Sequence, residues 1–175
     1  MKPIFLVGYM GCGKSTLGRK LARRLNIPFL DTDSLIEARE GASVADIFHY
    51  EGEEHFRAME RETVMRILAE EGACVVSTGG GLPVCQDNMK LMNSAGQTIY
   101  LKRTVDQIVH RLSPYGRQKR PNLRGLTDEE LVEHMTQNLA EREPFYAQAH
   151  SIVNCAAISD DELITKLLHE VTGEK

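Results

Sequence analysis

The stretch from Pro3 to Leu25 leaves this chain little choice of architecture. Pro3-Ile4-Phe5-Leu6-Val7 is a continuous apolar run, the pattern of a strand buried on both faces in a parallel sheet. Leu17, Leu21, Ala22 and Leu25 then recur at helical spacing. Between strand and helix stands Gly8-Tyr9-Met10-Gly11-Cys12-Gly13-Lys14-Ser15, a phosphate-binding loop by its glycine spacing and its Lys-Ser ending. Such a loop points successive backbone N–H groups into one concavity that cradles phosphate oxygens. Lys14 is placed to reach the β- and γ-phosphates as a point charge, and the Ser15 hydroxyl to ligate Mg²⁺. The N-terminus of the following helix adds its dipole to the anion site. An inconsequential glycine loop would have no reason to sit between a buried strand and an amphipathic helix.

Composition narrows the setting. A chain of 175 residues with 42% hydrophobic and 26% charged residues suits one domain with a proper core and leaves little room for a second. A net charge of −4 argues against non-specific nucleic-acid binding and gives no reason to invoke a membrane surface. There is no long apolar run, and Met1-Lys2-Pro3 leads directly into a strand, so neither a signal peptide nor a transmembrane helix is expected. Cys12, Cys74, Cys85 and Cys155 are scattered without CxxC or zinc spacing, which fits a reducing, cytoplasmic setting. The charge that matters is local. Lys14, Arg19, Lys20, Arg23 and Arg24 follow the loop, and Arg117, Lys119, Arg120 and Arg124 form a second basic cluster. Such clusters are ordinarily solvated faces, but two of them flanking a phosphate site suit a polyanion.

Strand-like runs alternate with helical patterns along the chain. After residues 3–8 come 28–31, 74–77, 98–101 and 151–154, with helices expected near 14–26, 53–71, 84–94, 104–112, 127–147 and 160–172. This alternation predicts an α/β fold, a mostly parallel sheet covered by helices on both faces. The run Ser113 to Gly125 breaks the pattern, being basic, polar and rich in Gly and Pro, and reads as a lid or binding loop in preference to a plain linker. Ligands of such sheets bind beyond the carboxyl ends of the strands. That rule gathers the phosphate loop, Asp31-Thr32-Asp33 and Ser77-Thr78-Gly79-Gly80-Gly81 into one crevice.

Within that crevice Asp31 and Asp33 have two readings. Aspartates at a strand–helix junction often only cap the helix. Beside a nucleotide site, one carboxylate can hold the metal through water while the other accepts a hydrogen bond from a substrate hydroxyl. No acidic residue ends the third strand, so the metal-side aspartate must come from the second strand, which gives Asp31 more weight. Three consecutive glycines, Gly79 to Gly81, let a ligand approach the backbone with no Cβ in the way. Arg57 and Glu60 stand three apart on a helix, and Arg142 precedes Glu143-Pro144-Phe145-Tyr146 near the end of another. Either arginine alone would pass for surface charge.

Taken together, these residues resemble the shikimate kinase family, within the P-loop small-molecule kinases related to nucleoside monophosphate kinases. The likeness is carried in order by Gly8 to Thr16 with Gly18, by Asp31-Thr32-Asp33, and by Gly52-Glu53 with Phe56-Arg57 and Glu60. Gly79-Gly80-Gly81, Arg120-Pro121, and Arg142 with Pro144 and Tyr146 complete it. The resemblance implies a three-layer α/β/α fold with a five-stranded sheet, one domain over residues 1–175 and a mobile lid at about 112–125. It implies transfer of the γ-phosphoryl group of ATP to the 3-hydroxyl of shikimate, on the chorismate route to aromatic amino acids, by a cytoplasmic monomer. Gly11, Cys12, Gly13, Lys14, Ser15, Thr16 and Arg120 would bind ATP, with Ser15 and, through water, Asp31 serving one Mg²⁺. Asp33 would face the 3-hydroxyl, Arg57 and Arg142 would grip the carboxylate, and Gly80 would add a backbone contact. Lys14, Asp33 and Arg120 are thereby the catalytic set, and residues 154–159 would lie near the adenine. One departure stands in the lid, where Asn122 precedes Leu123 in place of the family's two leucines. The rivals are a gluconate or nucleoside monophosphate kinase, and a GTPase-like binding module. The last lacks support, since no Asn-Lys-x-Asp stretch and no Asp-x-x-Gly after the third strand is present.

Overall fold

The structure, a computed structural model, describes residues 1–112, 123, 125–156 and 158–173. Its elements run β1 (Ile4–Val7), α1 (Lys14–Leu25), β2 (Phe29–Asp31), α2 (Thr32–Glu40), α3 (Val44–Tyr50) and α4 (Gly52–Glu70). There follow β3 (Val75–Ser77), a 3₁₀ turn (Leu82–Val84), α5 (Asn88–Ala95) and β4 (Gln97–Lys102). The chain closes with α6 (Val105–Arg111), α7 (Asp128–Tyr146), β5 (Ser151–Asn154) and α8 (Asp160–Thr172). The strands form one parallel sheet in the order β2-β3-β1-β4-β5, flanked by helices, as the alternating pattern predicts.

Burial explains why β1 reads as an unbroken apolar run. Phe5, Leu6 and Val7 are wholly inaccessible because the strand sits mid-sheet, paired with β3 on one side and β4 on the other. The chain leaves β1 for the β2 edge and returns through β3, then crosses to β4 on the opposite flank. The crevice therefore opens at the carboxyl end of β1, where the phosphate loop begins.

Two expectations are refined. The helix expected near 84–94 is divided into the 3₁₀ turn and α5, since Pro83 lies inside the first piece and Gln86 takes a left-handed φ of 51° between them. Helices α2 and α3 had no visible period in the sequence because each is short and buries few residues, Thr32 and Ile36 in one and Ile47 in the other. Ile36 and Ile47 meet Phe56 and Met59 of α4 in a small hydrophobic cluster separate from the main core. That cluster holds α2 to α4 together beyond the β2–β3 end of the sheet. The run expected as a lid, with Arg117, Lys119, Arg120 and Arg124, lies outside the described residues apart from Leu112, Leu123 and Gly125.

Candidate active site

Helix α1 differs at its start from most of its neighbours. Its N-cap is Gly13, in a left-handed conformation with φ 105°, and no side chain caps it. By contrast, α6, α7 and α8 carry full capping boxes at Thr104, Thr127 and Ser159. The first-turn N–H groups of α1 are thus left for an anion. A cavity of about 360 Å³ opens there, lined by Gly11, Gly13, Lys14, Ser15 and Thr16, with Asp31, Asp33 and Ser77 to Gly80 across from them. Cys12 turns its side chain inward and is fully buried, and its N–H donates to the Tyr9 carbonyl at 3.3 Å. Lys14 lies along the loop, its ammonium donating to the carbonyls of Gly8 (2.7 Å) and Tyr9 (2.9 Å).

The oxygens expected at a metal converge. Ser15 Oγ donates to Asp31 Oδ2 at 2.8 Å and lies 3.1 Å from Ser77 Oγ. The other Asp31 oxygen accepts from the Ser34 N–H at 3.4 Å, so Asp31 caps α2 as well as facing Ser15. The cap of that junction is thus Asp31, with its other oxygen turned to Ser15. An all-oxygen set with a single carboxylate suits Mg²⁺, which keeps several waters and relies on substrate phosphates for the rest of its shell. Among the described residues no group of three or more His, Cys, Asp or Glu is placed to cage a metal.

The glycine triplet organises the charged groups at the other end. A Cβ on Gly79 would lie 2.6 Å from Asp33 Oδ1 and 2.7 Å from Glu60 Oε1, and one on Gly81 would collide with the Arg57 guanidinium. On Gly80 it would stand 3.9 Å from Arg142 Nη1. The absence of a Cβ at Gly79 and Gly81 leaves room for Asp33, Glu60 and Arg57 to close on one turn of backbone, while Arg142 stands at ordinary contact distance from Gly80. The turn itself is pinned, with Gly79 N–H donating to Thr32 Oγ1 at 2.9 Å and Tyr146 Oη donating to the Gly80 carbonyl at 2.6 Å.

Each arginine is held from behind. Arg57 donates to Glu60 at 2.7 Å and to Glu53 at 2.9 Å, and its guanidinium lies 5.6 Å from the ring centres of both Phe48 and Phe56. Glu60 is 1% exposed, so this pair is screened little by water. Arg142 lies 5.8 Å from the centre of the Tyr9 ring, within reach of a cation–π contact. Burial pushes the Glu60 carboxyl up, against the pull of Arg57, with Asp33 adding to the rise. Burial likewise pushes Asp33 up to about 6, helped by the neighbouring Asp31 charge. Asp33 Oδ1 is buried with no hydrogen-bond partner. A carboxylate oxygen in that condition is waiting for a donor.

The structure therefore brings together every predicted site residue it describes. Arg120 lies outside the described residues. Sequence reasoning missed Arg111, which ends α6 and places Nη2 3.7 Å from where a Gly13 Cβ would be, over the phosphate loop. It placed Ser77 in the crevice, Tyr9 in the phosphate loop and Tyr146 among the family positions, but gave none of the three a contact. Arg111 had one available signal, a basic residue closing a helix just before the basic loop.

Comparison with known proteins identifies the family. The shikimate kinase family model matches residues 10–172. A shikimate kinase of Bacteroides thetaiotaomicron is 44% identical over 160 residues, covering 91% of this chain and 90% of its own. The crystal structure of shikimate kinase from that species superposes with a TM-score of 0.88 at 40% identity, over 99% of both chains. Shikimate kinase from Acinetobacter baumannii in complex with shikimate gives a TM-score of 0.83 at 32% identity, over all of this chain and 95% of its own. A family match over residues 10–172 and relatives this similar along nearly the whole chain show that the chain belongs to the shikimate kinase family.

Proposed function

We propose that this chain transfers the γ-phosphoryl group of ATP to the 3-hydroxyl of shikimate, giving shikimate 3-phosphate and ADP. The observation that carries the reading is the buried, unpartnered Asp33 Oδ1, set between the phosphate loop and two arginines held by buried partners. Arg57 and Arg142 provide planar forks for a carboxylate, each able to donate two parallel hydrogen bonds. With the carboxylate held there, a ring hydroxyl falls to Asp33. The aspartate accepts the hydroxyl's hydrogen bond, aims its oxygen at the γ-phosphorus and takes the proton late in the transfer. Its raised value makes it a better proton acceptor than an exposed aspartate.

Phosphoryl transfer passes through a loose transition state, so positioning and charge neutralisation dominate. Gly11 and Gly13 contribute backbone N–H groups to the phosphates, and Lys14 turns its ammonium from the loop carbonyls to the β- and γ-oxygens. Mg²⁺, held by Ser15 and through water by Asp31, would neutralise the β- and γ-phosphate charge when bound. Arg120 joins Lys14 on the transferring group as the run at about 112–125 closes over ATP and excludes water. The whole chain, 1–175, acts as one kinase domain. We place it in the reducing cytoplasm, supported by four free cysteines, and read it as a monomer on the family resemblance.

The test is Mg²⁺-dependent ADP release from ATP with shikimate, gluconate or AMP as acceptor. Release with shikimate alone, abolished in Asp33→Asn, is expected. Release with gluconate or AMP alone would contradict the roles of Arg57 and Arg142, and release with none would turn the reading towards a nucleotide-binding module.

A further inference from the structure

On the β4–β5 side of the crevice one buried cation has no part in the reading above. Arg103 follows the last residue of β4 and is 8% exposed. Its Nε donates to the carbonyl of Cys12 at 2.9 Å, and its Nη1 donates to the carbonyl of Cys155 at 2.8 Å. Cys12 is in the middle of the phosphate loop. Cys155 follows β5 and extends the ladder, its N–H donating to the Lys102 carbonyl at 3.0 Å. A single planar fork thus bridges the phosphate loop and the segment that leads from β5 into α8. Asp160, at the start of α8, is the acid nearby. Its carboxyl is held below the ordinary value first by its hydrogen bond from Lys20, and further by Arg111 and Arg103.

The consequence for the loop follows from peptide geometry. In a trans peptide the C=O and the next N–H point in opposite directions. Fixing the Cys12 carbonyl towards Arg103, away from the cavity, aims the Gly13 N–H into it, and Gly13 lines that cavity. Gly13 also caps α1 without side-chain help, so its N–H is one of the donors an anion would meet first. We propose that Arg103 is a positioning residue for phosphate binding. It locks the Cys12–Gly13 peptide in the anion-receiving orientation and braces the loop against the β5–α8 segment. This rests on the reading of the crevice as an ATP site.

Calorimetry with MgADP and with inorganic pyrophosphate on wild type, Arg103→Lys and Arg103→Gln tests it, with thermal unfolding followed in parallel. Lysine keeps the charge but not a fork able to span two carbonyls. Both variants are expected to lose about tenfold in affinity for ADP and for pyrophosphate, the scale of one charge-assisted hydrogen bond. Shikimate affinity of the free protein should be unchanged in both. Full recovery in Arg103→Lys would overturn the role, since charge alone would then suffice. Loss of ADP affinity with pyrophosphate binding intact would overturn it too, as would lowered thermal stability with both affinities unchanged. Failure of wild type to bind ADP would instead overturn the reading of the site itself.

Discussion

The two flanks of β1 are built from different materials. Beyond β2 and β3 the site consists of charged side chains converging on a glycine turn: Asp33, Glu60, Arg57 and Arg142 around Gly79 to Gly81. Beyond β4 and β5 it consists of backbone carbonyls tied by a buried arginine, Arg103 to Cys12 and Cys155. The first flank has the means to discriminate chemically among small acids, because ion pairs and a buried carboxylate punish a wrong partner. The second sets loop shape and would read a ligand largely through main-chain groups. On the proposed reading, acceptor identity is decided on one flank and phosphate placement on the other.

The largest break in that division should come from Asp33→Asn. It removes the proton acceptor without changing size, and kcat is expected to fall by about 10²–10⁴-fold while ATP affinity holds. Steady-state kinetics with shikimate checks this, and a loss confined to KM would show that Asp33 only binds.

Next are the carboxylate arginines. Arg57→Lys and Arg142→Lys each keep the charge and lose the fork, so shikimate KM should rise about tenfold or more with ATP KM unmoved. Equal rises in both KM values would erase the distinction between the flanks.

The same Asp33 sharpens the comparison through stability. Its carboxyl value of about 6 in the folded protein lies above the ordinary 3.8, so the folded state holds the proton more tightly than the unfolded chain. Stability from this group is fully present below the ordinary value and is lost as pH rises through the folded one. In magnesium-free buffer at about pH 8, Asp33→Asn should therefore gain about 1–2 kcal/mol, or about 2–8 °C in Tm, and the gain should shrink as pH falls from about 6 and be gone below about pH 4. A Tm difference independent of pH would contradict the burial argument.

The smallest expected effect concerns Tyr9, which belongs to the phosphate loop yet stacks under Arg142. Its hydroxyl is buried with no hydrogen-bond partner, so the ring face is what matters. Tyr9→Phe should leave shikimate KM unchanged, and Tyr9→Leu should raise it about two- to tenfold, the range of a cation–π contact. A loss in the phenylalanine variant would assign the role to the hydroxyl.

What could be read from the sequence follows the same division. Gly8 to Ser15 was legible because a phosphate loop demands particular residues at particular places, and Asp31, Asp33 and Gly79 to Gly81 followed from the carboxyl-end rule once strands were assigned. Arg57 and Arg142 gained meaning as a pair only through the family resemblance, since each alone looks like surface charge. Arg103 left no trace in the sequence because its partners are carbonyls, which every residue possesses. Tyr146 was legible only as a family position, and its bond to the Gly80 carbonyl was not foreseeable for the same reason. The short helices α2 and α3 were obscure for a different cause, as too few of their positions are buried to print a period.

A crystal structure with shikimate and ADP tests the division of the site most directly. The account predicts the 3-hydroxyl within about 2.6–3.2 Å of Asp33, the carboxylate on Arg57 and Arg142, and the adenine on the β4–β5 side. Shikimate bound with its carboxylate away from both arginines, or adenine lying over β2 and β3, would contradict it.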